Sequence, residues 1–157
     1  MNPRLVSQPM MNRRESLKLM VAGAAMGAGA SAAENKGDVL KRIIPSSDEA
    51  LPAIVLGTWQ TFDVAPGERG PLREVLEAFS ALGGTVIDSS PMYGKSESVA
   101  GDLIEELGLR KSLFVATKVW ISGKDAGVKQ MEESMAKLKS PVIDLMQVHN
   151  LLDVKAH

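Results

Sequence analysis

The sequence predicts an α/β fold with a parallel sheet; doubly wound sheets and barrels both fit that class, and the residues at the strand ends favour the (β/α)8 TIM-barrel type. Short apolar runs alternate with segments of helical periodicity, which implies strands joined by right-handed crossovers. Each of the four core runs closes on a polar or functional group: Gly57-Thr58-Trp59, Asp88, Lys118 and His149. A barrel brings such strand ends to one face, where its site lies. No Gly-x-Gly-x-x-Gly follows the first run and no phosphate-loop lysine motif occurs, which weakens the doubly wound and P-loop alternatives.

The elements follow in order. Lys41–Pro45 and Leu51–Trp59 flank Ser46-Ser47-Asp48-Glu49, a turn-forming cluster, so a β-hairpin is expected before the first core strand. Ile54-Val55-Leu56 reads as a strand buried on both faces. Pro71 suits the first turn of a helix over Pro71–Leu82, whose apolar residues are Leu72, Val75, Leu76, Phe79 and Leu82. Gly83-Gly84 stops it, and Thr85–Asp88 is the second strand. Ser96 is the expected N-cap of a helix reaching about Leu107, with Val99, Leu103 and Leu107 as its stripe. Leu113–Thr117 forms the third strand, closed by Lys118. Lys124–Leu138 is a helix with Val128, Met131, Met135 and Leu138 on one face. Ser140-Pro141 breaks it, and Val142–Val148 is the fourth strand, closed by His149.

Composition narrows the function classes. Apolar residues make up 45% and charged residues 24% of 157, the balance of a soluble globular protein. The net charge is −1 and no Lys/Arg-rich run occurs, which argues against a nucleic-acid partner. With no cysteine, disulfides, thiolate catalysis and cysteine-based zinc sites are excluded. Two histidines, one of them the last residue, argue against a His-rich metal site, so no metal is expected.

Residues 1–33 are of another kind. Arg13, Arg14 and Lys18 precede a weakly apolar Ala/Gly/Met run that closes on Ala30-Ser31-Ala32, as an export signal does. The run is too short and too rich in Gly and Ala for a stable membrane span. Asn12-Arg13-Arg14-Glu15-Ser16-Leu17-Lys18 resembles a twin-arginine signal, except that Ser16 stands where a large apolar residue is usual. The expected division is therefore 1–33 as signal peptide and 34–157 as folded domain. The expected location is periplasmic, or cytoplasmic if the signal is not used. Residues 1–33 hold four basic residues and one acidic; the remaining 14 basic and 18 acidic residues carry a net charge of −4.

The strand ends and their neighbours resemble the aldo/keto reductase family. The resemblance is carried by Gly57-Thr58-Trp59, by Ile87-Asp88-Ser89-Ser90-Pro91-Met92-Tyr93-Gly94 with Ser96-Glu97, by Phe114–Trp120, and by Ile143–Asn150. It spans about Arg42 to Asp153. It implies a catalytic tetrad of Asp88, Tyr93, Lys118 and His149, and a hairpin that plugs the bottom of the barrel. It further implies NADPH, or less often NADH, as cofactor, with Gly57, Thr58, Trp59 and Asp88 on the cofactor side. A small-molecule carbonyl is the expected substrate, in a pocket formed by Trp59, Tyr93, Trp120 and His149. Reduction of a carbonyl builds negative charge on its oxygen, which something must protonate. By resemblance Tyr93 is that general acid. Lys118 would stabilise the phenolate it leaves, Asp88 would hold Lys118 by a charge-assisted bond, and His149 would orient the carbonyl.

The family fold has eight β/α units and this chain supplies four, so the chain looks like its N-terminal half. The alternative expectation is a catalytically inactive half-barrel, acting at most as a binding or assembly fragment. Four parallel strands without closure leave two open edges, so self-association or pairing with a complementary C-terminal half is expected.

Overall fold

The structure is a computed structural model that describes residues 39–151. The expected signal segment, residues 1–33, lies outside the described residues.

The hairpin forms where its turn chemistry places it. β1 (Lys41–Ile43) pairs antiparallel with β2 (Ala50–Pro52), Lys41 opposite Pro52 and Ile43 opposite Ala50. Asp48 turns the chain at φ 55, a left-handed conformation that aspartate tolerates. Four strands then form one parallel sheet: β3 (Val55–Gly57), β4 (Val86–Asp88), β5 (Phe114–Val119) and β6 (Leu145–Val148). Helices α1 (Gly70–Ala81), α2 (Ser96–Glu106) and α3 (Lys124–Lys137) fill the connections. Each strand lies beside its predecessor, in the order β3-β4-β5-β6. A doubly wound sheet reverses order at a switch point, whereas a (β/α)8 barrel does not. The fold is of TIM-barrel type, with four of its strands among the described residues.

Strand register sorts the side chains into two faces. Leu56, Ile87 and Val115 align on the face toward the helices. Ile87 and Val115 are buried there with Leu76, Val99, Leu103, Ile104 and Leu138. Val55, Val86 and Phe114 align on the inner face, as do Ala116 and Leu145.

Several expectations are corrected. The run Ile54-Val55-Leu56 is not buried on both faces: Ile54 is 68% exposed and Val55 48%. β3 is an edge of the described sheet, with a strand neighbour on one side only. Helix α1 ends at Ala81, so Leu82 is its cap and lies exposed, and Val75 is exposed too. The working stripe is Leu72, Leu76 and Phe79, packed against the core. Phe79 lies over Gly84, where a Cβ would come within 2.3 Å of its ring. Ser96 is the first helical residue of α2 rather than its cap, because its hydroxyl donates to the Thr58 carbonyl at 3.2 Å. In α3, Val128 is exposed; Gly127, Ser134 and Leu138 are buried, since small residues let the helix approach the sheet. Strand β5 continues past Thr117 to Val119, so Lys118 lies within it. Strand β6 begins only at Leu145. Before it, the Asp144 carboxylate takes the place of a ladder carbonyl and accepts the Val115 N–H at 2.7 Å.

Candidate active site

The site is built from the turn that follows β4. After Asp88 the chain makes one more ladder bond, Ser89 N–H to the Ala116 carbonyl at 2.9 Å. Pro91 has no N–H with which to continue. The Ser90 carbonyl accepts the Tyr93 N–H at 3.0 Å, and the Tyr93 carbonyl accepts the Ser96 N–H at 3.0 Å. Gly94 makes this turn possible. It sits at φ 59, and a Cβ there would fall 2.3 Å from the Asp63 carboxylate, which accepts the Lys95 N–H at 3.0 Å. Tyr93 is thus delivered by a turn closed on both sides, from Ser90 below and Asp63 across.

Lys118 reaches the same place from β5. Its Nζ donates to Asp88 Oδ2 at 2.6 Å and to the Ser89 carbonyl at 2.7 Å. Gln147 of β6 donates to the other Asp88 oxygen at 3.0 Å. An ammonium has three protons and these bonds use two. The third is available toward Tyr93, whose ring centroid lies 5.3 Å from Nζ. His149 follows β6, anchored by its N–H on the Val119 carbonyl at 2.9 Å. Its ring meets Tyr93 edge-on, with centroids 6.0 Å apart and planes at 80°. Asp88, Tyr93, Lys118 and His149 are therefore brought together.

The two tryptophans flank this cluster. Trp59 follows β3, with its ring 6.4 Å from Tyr93 and 63% exposed. Trp59, Met92, Tyr93 and His149 border a cleft of about 330 Å³. A larger cleft of about 510 Å³ begins at Met92 and His149 and runs between Pro91, Trp120, Ile121 and Gln130. The residues expected on the cofactor side divide by exposure. Gly57 pairs with Asp88, and the position its Cβ would take is open. Thr58 is fully buried: its hydroxyl donates to Ser89 Oγ at 2.9 Å, its N–H to the Asp88 carbonyl at 3.1 Å, and its carbonyl accepts from Ser96. Thr58 supports the turn from behind, while Gly57 and Trp59 have open sides.

Sequence reasoning missed Gln147, the Ser89 carbonyl, and the buried pair in which Thr117 donates to Glu97 at 2.7 Å. Gln147 was findable. It stands two residues before His149, and the period of two along a strand is a signal for one shared face. The Ser89 carbonyl carries no side-chain signal at all. Among the described residues no group of three His, Asp or Glu is placed to hold a metal ion, and no helix is long and apolar enough to cross a membrane.

Comparison with known proteins places these features. Residues 53–153 match the aldo/keto reductase family. Methylglyoxal reductase YeaE of Escherichia coli is 34% identical over 113 residues, covering 69% of this chain and 39% of that protein. A Klebsiella pneumoniae aldo/keto reductase solved with NADP and acetate superposes at a TM-score of 0.58 with 34% identity, over 65% of this chain and 36% of that one. A second structure from that organism, solved with NADPH, gives 0.61 with 32% identity, over 70% and 39%. The chain spans less than two-fifths of the length of these relatives.

Proposed function

The chain belongs to the aldo/keto reductase family, and on that premise we propose that it carries the proton-donating site of an NAD(P)H-dependent reductase of aldehydes and ketones. The observation that carries this reading is the Lys118 ammonium, fixed between Asp88 and the Ser89 carbonyl and facing Tyr93. When bound, the nicotinamide supplies the hydride that adds to the carbonyl carbon. Tyr93 gives its phenolic proton to the carbonyl oxygen as charge builds there, and the alcohol leaves. The phenolate left behind faces Lys118, which stabilises it until solvent returns the proton. Asp88 and Gln147 hold that ammonium in place, and a ring N–H of His149 orients the substrate oxygen.

The open position over Gly57, which pairs with Asp88, leaves room for a flat ring, and Gly57, Asp88 and the exposed Trp59 would hold the nicotinamide. The NADP and NADPH in the Klebsiella pneumoniae structures support the cofactor class. Methylglyoxal, the substrate named for the Escherichia coli relative, is the probe of choice. Export remains part of the proposal, supported by Arg13-Arg14 and the small residues near Ala32.

A second reading has its own observation. Among the described residues β3 and β6 each have one strand neighbour, and Val55 and Leu145 of the inner face are 48% and 45% exposed. In that reading the four strands are catalytically inactive and act at most as a binding or assembly fragment, one that pairs with a complementary half. One experiment separates the two. Methylglyoxal-dependent NADPH oxidation is compared between the chain and Tyr93→Phe, with NADPH and NADH binding followed by fluorescence titration. The first reading expects Tyr93→Phe to lose about 10²- to 10⁴-fold in turnover, the usual worth of a general acid, with binding retained. Equal turnover sinks the role of Tyr93. A chain that neither binds nucleotide nor turns over selects the second reading.

A further inference from the structure

Gln130 of α3 reaches back to the end of β5 and pairs both backbone polar groups of Trp120. Its Oε1 accepts the Trp120 N–H at 2.6 Å, and its Nε2 donates to the Trp120 carbonyl at 3.5 Å. The β5–β6 ladder ends one residue earlier, with Val119 opposite Val148. One side-chain amide thus gives Trp120 the donor and acceptor that a neighbouring strand gives elsewhere. The first bond is short and the second lies at the limit of a hydrogen bond, so the acceptor oxygen dominates.

The consequence reaches the substrate cleft. Trp120 forms, with Met92 and Ile121, the apolar wall of the cleft of about 510 Å³ that opens at His149. Its side chain is 40% exposed, so close packing on all sides does not fix the ring. The position of the wall therefore depends on the backbone, and the backbone is held by Gln130. We propose that Gln130 is a positioning residue for specificity. It holds Trp120 where the apolar or aromatic substituent of a carbonyl substrate packs, and so favours such substrates over small aliphatic ones. This rests on the reductase reading for its substrate and on hydrogen-bond geometry alone for the clamp.

The test uses two variants and two readouts. Gln130→Ala removes the clamp; Gln130→Glu keeps the dominant acceptor oxygen. The chain has two tryptophans, so Trp59→Phe leaves Trp120 as the sole indole reporter. On that background, acrylamide quenching of Trp120 should rise in Gln130→Ala and stay at the parent value in Gln130→Glu. In the chain with Trp59 present, the ratio of kcat/KM for phenylglyoxal to that for methylglyoxal should fall about 2- to 10-fold in Gln130→Ala, the worth of one aromatic contact. Gln130→Glu should preserve it. Unchanged quenching in a folded Gln130→Ala overturns the clamp, and an unchanged ratio overturns its role in specificity. A parent that reduces neither carbonyl sinks the reductase reading alone, and quenching then decides the clamp.

Discussion

Ile87 and Asp88 are neighbours in β4 and point to opposite faces of one sheet. Ile87 is 1% exposed, sealed under the helices with Val115, Leu103 and Ile104. Asp88 is half-buried and spends both carboxylate oxygens on side chains from the next two strands, Lys118 and Gln147. The contrast holds along the sheet. On the helix face the polar residues Thr58, Ser89 and Thr117 are fully buried and satisfied by the bonds from Thr58 to Ser89 and from Thr117 to Glu97, and they support the chain. On the inner face the polar residues converge across strands and stay within reach of solvent. Burial is concentrated on one face and the proposed chemistry on the other. A mutation's face should therefore decide whether it is felt first in stability or in turnover.

The largest stability effect expected is Leu103→Ala. Leu103 is 2% exposed in the centre of the helix-side cluster. Its truncation removes about 2–5 kcal/mol, as for other buried leucines, read from urea unfolding. A loss well under 1 kcal/mol would mean that the helix face is not where this chain is stabilised. Lys118→Met comes next and tests the other face. It leaves Asp88 with Gln147 alone, so a stability loss near the lower end of about 1–3 kcal/mol is expected, because Asp88 keeps contact with water. Carbonyl reduction should fall much further, about 10²-fold or more. If Lys118→Met unfolds the chain as readily as Leu103→Ala, the division between the faces fails.

The same division explains what was legible in the sequence. Asp88, Lys118 and His149 followed from where each apolar run ended, since a side-chain type at a strand end is a local signal, whereas Tyr93, in the turn after β4, was reached through the family resemblance. The two-faced burial expected of Ile54-Val55-Leu56 was not legible in the same way, because burial depends on which strands lie alongside. On α3 only Val128 was misplaced: Met131 and Met135 are half-buried and Leu138 is buried as expected, but Gly127 and Ser134 take the closest approach. A stripe of small residues buries backbone rather than side chain and leaves little trace in a hydrophobic pattern. Gly94 showed the reverse. Its place after Tyr93 was plain, and the reason for it, an aspartate 31 residues earlier, is tertiary.

The smallest effect expected lies at the outer rim of the helix layer and sharpens the contrast with Asp88. Asp102 of α2 accepts from Lys139 at 2.9 Å and from Arg69 at 2.7 Å. The Lys139 hydrogen bond, followed by Arg69, holds its carboxyl below the ordinary 3.8, against an opposing push from burial. Lys139 is raised above 10.5, first by its bond to Glu105 and then by Asp102. A depressed acid contributes stability that is present above its unfolded value and lost as pH falls through its folded one. A raised base contributes stability that is present below its unfolded value and lost as pH rises through its folded one. The cluster's contribution should therefore be level between these limits, fading below 3.8 through Asp102 and above 10.5 through Lys139. Asp102→Asn should lower the urea midpoint slightly at neutral pH, and the gap from the parent should close as pH drops below 3.8. Both groups are more than one-third exposed, so the gap is small. A gap of equal size at neutral pH and well below 3.8 would show that Asp102 acts by shape rather than by charge. Urea unfolding of Lys118→Met and of Asp102→Asn at rising salt sets a sheltered ion pair against an exposed one. Lys118 and Asp88 are 12% and 27% exposed where Lys139 and Asp102 are 38% and 36%. The inner-face pair should accordingly be the less sensitive of the two to added salt.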